Sequence, residues 1–160
     1  MPKITLPEIA VIANQFSQFN FKEDEIFHWS PKNNCIYYSP NTIKTKEGIF
    51  QLLHEIGHAL AGHTTYGSGV QLLKMEAEAW QKAQELARSY NLEIKEHQIE
   101  HCLDSYRDWL HLRSTCPKCS TISVETKPNH YHCFNCLQNW TVPADQRTRS
   151  YRLKLVNQLV

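Results

Sequence analysis

The stretch Thr45-Lys46-Glu47-Gly48-Ile49-Phe50-Gln51-Leu52-Leu53-His54-Glu55-Ile56-Gly57-His58-Ala59-Leu60-Ala61-Gly62 decides how the 160-residue chain is to be read. Ile49, Leu53, Ile56 and Leu60 recur at helical spacing and predict one buried stripe. Gly62 is well placed as the glycine that ends the helix, so the spacing predicts a helix from near Thr45 to near Gly62. On that helix His54 and His58 project from the same face on adjacent turns. Two imidazoles so placed suit two corners of a zinc tetrahedron. Glu55, next to the first histidine, can reach a water on the metal, where its carboxylate would serve as general base. Gly57 costs roughly 1 kcal/mol of helix propensity, which predicts a close backbone approach at that point.

The third ligand has to come from elsewhere. The metzincin pattern would put a third histidine at position 64, which is Thr64, and a glycine at 61, which is Ala61. His63 therefore reads as a helix-end residue behind the ligands. After the Gly67-Ser68-Gly69 loop, a helix predicted from about Val70 to Tyr90 offers Glu76 and Glu78. Leu73, Glu76, Trp80, Ala83, Ala87 and Tyr90 share one stripe that is otherwise almost wholly apolar. Glu78, Lys82, Glu85 and Ser89 share a polar one, with Glu78 and Lys82 as an i,i+4 pair. A carboxylate on a core-facing stripe needs a partner, and zinc would be one. Helical phase favours Glu76 as the ligand and leaves Glu78 as the alternative.

Working outward, Thr5 and Glu8 form a candidate capping box ahead of a helix carrying Ile9, Ile12, Ala13, Phe16 and Phe19 at helical spacing. Residues Ile26 to Trp29 and Cys35 to Tyr38 read as a hairpin around Ser30-Pro31-Lys32-Asn33-Asn34. A further helix, about Glu96 to Leu112, carries Ile99, Leu103, Tyr106 and Leu110. These elements predict an α+β fold. It has a mainly helical core with a small edge sheet, spanning residues 1–113, followed by a small cysteine module over 114–160.

That module contains Cys116-Pro117-Lys118-Cys119 and Cys133-Phe134-Asn135-Cys136. Two Cys-x-x-Cys pairs at this separation predict a structural four-thiolate zinc site. Such a metal would staple a fragment too small to hold itself together. Tyr131 and Trp140 read as packing residues, His130 and His132 as non-ligands, and Cys35 and Cys102 as buried thiols. The net charge of +1 is uneven: residues 1–104 hold 9 Lys/Arg against 13 Asp/Glu, whereas residues 105–160 hold 8 against 3. Arg113, Lys118, Lys127, Arg147, Arg149, Arg152 and Lys154 make a basic footprint without a base-reading motif, so nucleic acid is a candidate partner. No secretory signal and no membrane span is legible, which predicts a cytoplasmic protein without disulfides.

The run HEIGHALAGH, followed after a short loop by MEAEAW, resembles the ImmA/IrrE-like metallopeptidases, a gluzincin-type family. The resemblance covers roughly Ile49 to Leu86. It implies a zinc-dependent peptidase with ligands His54, His58 and Glu76, catalytic Glu55, and a protein substrate such as a helix-turn-helix repressor. Two features depart from the family: Trp80 stands where related gluzincins often have Asp or Asn, and a zinc ribbon replaces the usual downstream region. The competing reading is a nucleic-acid-associated zinc protein. It could be a SprT-like protease on DNA-bound proteins, although those use a third histidine, or a non-catalytic binding module.

Overall fold

The computed structural model describes residues 5–144 and 152–155, which form four helices and seven short strands in an α+β arrangement. The chain divides into two compact units, residues 1–64 with 75–99 and residues 65–74 with 100–160. The sequence boundary at Arg113 falls inside the second unit.

In the first unit, helix α1 (Ile9–Gln15) buries Ile12, and Phe16, which caps its C-terminal end, is buried as well. The Thr5–Glu8 capping box does not form. Glu8 is itself the N-cap, extended at φ −74° and ψ 146°, and makes no side-chain cap bond. The reason is Pro7, which disfavours helical geometry at Leu6 and forbids an earlier start. Strands β1 (Asn20–Glu23), β2 (His28–Ser30) and β3 (Cys35–Tyr38) form a sheet in the order β1-β3-β2. The β2–β3 hairpin is antiparallel, with Trp29 opposite Ile36. The parallel strand β1 is an addition to the sequence reading, because Asn20-Phe21-Lys22-Glu23 lies largely exposed and carries no apolar alternation.

Helix α2 (Lys46–Leu60) starts where predicted: Thr45 Oγ1 accepts from the Gly48 N–H at 3.0 Å. Ile49, Leu53 and Ile56 are fully buried, but Leu60 is 40% exposed and Leu52, at 0%, takes its place in the core. Leu60 is the last helical residue, where the chain leaves the core. Beyond it Gly62 adopts φ +68° and turns the chain back on itself. The Gly62 and His63 N–H groups then cap Ala59 and His58 carbonyls at 3.1 and 3.0 Å, a Schellman-type ending.

Helix α3 (Gly69–Ser89) lies against α2 from Met75 onward. Gly57 makes this possible. A Cβ there would sit 2.4 Å from the Ala79 carbonyl oxygen and 3.1 Å from its carbon. Of the predicted stripe, Glu76, Trp80, Ala83 and Ala87 are buried, together with Ala79, whereas Leu73 and Tyr90 towards its two ends are only half-buried.

The second unit contains most of helix α4 (Glu96–Ser114) and a sheet of β4 (Val124–Lys127), β5 (His130–His132), β6 (Asn139–Thr141) and β7 (Leu153–Leu155), antiparallel in that order. Strand β7 lies in what reads from sequence as a basic tail. Cys116, Tyr131, Cys133, Trp140 and Val142 form its core. Tyr131 and Trp140 stack, their centroids 5.5 Å apart, so packing is their role here.

Gly57→Ala gains about 1 kcal/mol of helix propensity, but it meets a backbone that cannot swing aside, and overpacking of this kind costs about 1–3 kcal/mol. The expected net result is a lower denaturation midpoint in urea, together with weaker metal retention.

Candidate metal centres

Two groups of side chains converge as metal sites do. The first joins α2 and α3 within one unit. His54 Nε2 lies 3.1 Å from His58 Nε2 and 3.0 Å from Glu76 Oε2, and His58 Nε2 lies 3.2 Å from Glu76 Oε1. Zinc held tetrahedrally at about 2.0–2.1 Å sets its ligand atoms about 3.3 Å apart, so this donor set fits the ion. All three residues are buried, at 5%, 9% and 6% exposure. Burial alone would push the Glu76 carboxyl up, yet hydrogen bonds and charge interactions with His54 and His58 hold it at about 2. The buried carboxylate thus has the partners that its place on an apolar helical stripe requires.

Glu78 points elsewhere. Its side chain is 54% exposed and its Oε2 lies 3.0 Å from His63 Nε2. This contact with His63 is closer company than the i,i+4 pairing with Lys82 that the sequence suggests, although Lys82 adds to the field that lowers the Glu78 carboxyl. His63 is buried behind His58, with the two Nδ1 atoms 2.8 Å apart. The Gly62 turn puts it there, as a residue behind a ligand and outside the converging group.

Glu55 is half-buried, next in sequence to His54, and its Oε2 accepts the Trp29 backbone N–H at 2.8 Å. The Trp29 indole Nε1 in turn donates to the His63 carbonyl at 2.9 Å. Sequence reasoning missed Trp29, because its backbone makes the decisive contact and backbone groups leave no trace in residue type. Trp80, at the position where Asp or Asn is usual in related enzymes, stacks on His54 with centroids 4.3 Å apart. His54 Nδ1 is buried and has no hydrogen-bond partner among the described residues.

The second group is Cys116, Cys119, Cys133 and Cys136. The Cys116–Cys136 and Cys119–Cys133 sulfurs are each 3.5 Å apart, far from a disulfide and near the roughly 3.8 Å expected when four thiolates hold zinc at about 2.3 Å. The two Cys-x-x-Cys turns are built alike. Cys116 N–H donates to Thr121 O and Ser120 N–H to Cys116 O, both at 2.9 Å. Cys133 N–H donates to Gln138 O at 2.9 Å and Leu137 N–H to Cys133 O at 2.8 Å. Ser120 and Leu137 take the same left-handed conformation, φ 62° and 63°. Hydrogen bonding with Thr121 and Asn135 pulls Cys119 down to about 5, whereas burial pushes Cys136 up to about 12. Four sulfurs converging so closely, none of them in a disulfide, make a donor set that fits a zinc ion.

The two histidines beside the second cysteine pair are engaged elsewhere: His132 Nδ1 lies 2.7 Å from Asn139 Oδ1, and His130 Nδ1 lies 2.9 Å from the Pro128 carbonyl. Cys35 is buried as expected, but Cys102 is only half-buried on its helix. The basic footprint loses a member. Arg113 is 1% exposed, its guanidinium 4.1 Å from the Trp109 ring centroid and its Nη2 donating to Asn129 Oδ1 at 2.7 Å. It is a structural cation and does not face a phosphate. Lys118, Lys127, Arg152 and Lys154 are exposed, and Arg147 and Arg149 lie outside the described residues. No helix among the described residues is long and apolar enough to cross a membrane.

The Peptidase_M78 family, described as the IrrE N-terminal-like domain, matches residues 8–132. The chain belongs to that family. The match takes in every residue of the α2–α3 centre and the first cysteine pair, and it ends just before Cys133. Membership makes the chain metallopeptidase-like, in agreement with the resemblance carried by HEIGHALAGH and MEAEAW. No curated protein and no solved structure matches the chain.

Metal analysis of the freshly purified full-length protein is expected to return two zinc ions per chain. A mild chelator should remove the one held by nitrogen and oxygen donors first. Glu76→Gln should weaken that ion selectively, while Cys116→Ser should release the other.

Proposed function

We propose that this protein is a zinc-dependent endopeptidase acting on a regulatory protein, of which a helix-turn-helix repressor is the preferred candidate. The observation that carries the reading is the placement of Glu55: one residue from a ligand in sequence, beside three converging donors in space, and fixed by the Trp29 N–H at 2.8 Å. Bound between His54, His58 and Glu76, zinc would supply Lewis acidity and bring the pKa of a coordinated water to about 7.

The chain's own residues do the rest. His54, His58 and Glu76 contribute two neutral donors and one negative charge, so the site keeps net positive character when loaded. Glu55 Oε2 is occupied by the Trp29 N–H, which leaves Oε1 to take a proton from water and return it to the leaving amine. Fixing one oxygen sets the direction of the other, and general bases act only within hydrogen-bond reach of the proton they abstract. The repressor assignment is supported by the family resemblance, and cytoplasmic location by the paired free cysteines in place of disulfides.

Glu55→Gln tests the reading. The amide keeps the shape and the Trp29 contact but cannot accept a proton, so zinc content should stay at the wild-type value. Cleavage of a helix-turn-helix repressor substrate should fall by about 10²–10⁴-fold. Equal cleavage by the variant would refute the general-base role.

A further inference from the structure

We infer that Glu78, acting through His63, fixes the tautomer of the His58 imidazole and so keeps the His58 Nε2 lone pair aimed at the metal. The inference rests on the reading of His54, His58 and Glu76 as a zinc site.

A line of contacts runs from the surface to that site. Glu78 Oε2 meets His63 Nε2 at 3.0 Å, and His63 Nδ1 meets His58 Nδ1 at 2.8 Å. His58 Nε2 then faces His54 Nε2 at 3.1 Å and Glu76 Oε1 at 3.2 Å. A neutral imidazole has one N–H and one lone pair, and an ionised carboxylate only accepts. Proton order along the line is therefore determined from its outer end. Glu78 accepts, so His63 Nε2 carries the hydrogen and His63 Nδ1 presents a lone pair. That lone pair accepts from His58 Nδ1–H, which leaves His58 Nε2 unprotonated and facing the ion. The reverse order would point an N–H at the cation and leave a lone pair facing the Glu78 carboxylate.

His63 is held for this task. It is 8% exposed, the Gly62 turn folds it back beneath the last turn of α2, and its carbonyl accepts from the Trp29 indole at 2.9 Å. Glu78, by contrast, is half in solvent and fills no space in the core. Its removal should therefore cost little packing, which separates a positioning role from a structural one. His54 has no equivalent line. Its ring is steadied by stacking on Trp80, so the two histidines of HEIGH are held by different means.

The test measures zinc affinity of the full-length protein by chelator competition, with the cysteine-bound zinc retained as an internal reference. Loss of an outer partner of a ligating histidine costs about 10–100-fold in metal affinity. Glu78→Ala should weaken the site about 10-fold. Glu78→Lys presents a donor to His63 Nε2, demands the reversed proton order, and should weaken it further. His63→Leu removes the acceptor and should match the Lys variant. His63→Asn can set an amide oxygen near the Nδ1 position and should recover most of the affinity, which a purely space-filling role would not predict.

Nitrogen-15 shifts of the zinc-loaded wild type should show His58 protonated at Nδ1 and coordinating through Nε2. The inference is overturned if the Glu78 and His63→Leu variants bind zinc as tightly as wild type, or if His58 carries its proton on Nε2. If His54→Ala leaves the wild-type zinc content unchanged, the zinc-site reading and this inference fall together.

Discussion

One helix can present two imidazoles on adjacent turns, but no helix can place a third donor between them. The candidate metal site therefore depends on how closely α3 approaches α2, and that distance is set where Gly57 faces the Ala79 carbonyl. Any side chain at Gly57 would collide at 2.4 Å with backbone. Because the two backbones nearly touch, a side chain as short as glutamate spans from Glu76 to both histidines. The buried carboxylate and the buried imidazoles then balance one another, where each alone would carry a large desolvation cost. The glycine's helix-propensity cost of about 1 kcal/mol is small beside the electrostatic arrangement it permits.

The same turn of α2 explains why the site has depth. Gly62 reverses the chain after Leu60, so His63 returns beneath His58 when it could have continued into solvent. Trp29 ties the edge strand β2 into this corner twice, by its backbone to Glu55 and by its indole to the His63 carbonyl. The proposed base, the three candidate ligands and the residues behind them thus share a few mutually fixed contacts. Catalytic geometry of the sort proposed requires this, because a misplacement of about 1 Å is enough to cost a hundredfold in rate.

Much of this was legible in the sequence, and what was not has identifiable causes. The α2 boundaries followed from Thr45 and Gly62, because caps impose local geometry that survives any tertiary context. Glu76 was separable from Glu78 because a charge on an apolar stripe is a conflict that needs a partner. Strand β1 was not legible, since an exposed strand of Asn, Phe, Lys and Glu has no period to detect. Trp29 was invisible for a different reason, as its contact with Glu55 runs through the peptide N–H. The Thr5–Glu8 pair matched a capping pattern that Pro7 prevents. Arg113 counted toward a basic surface until burial against Trp109 and Asn129 removed it. The cysteine pairs were readable because spacing alone constrains them, and the structure adds that both turns repeat one hydrogen-bond pattern.

Anomalous diffraction at the zinc edge, from crystals of the zinc-loaded full-length protein, tests the central claim most directly. The account predicts one peak among the four cysteine sulfurs. A second should lie about 2.0–2.2 Å from His54 Nε2, His58 Nε2 and a Glu76 carboxylate oxygen, with Glu55 near the ion but outside its ligand sphere. A second peak ligated by Glu78 or His63 in place of Glu76, or no peak between α2 and α3, would contradict it.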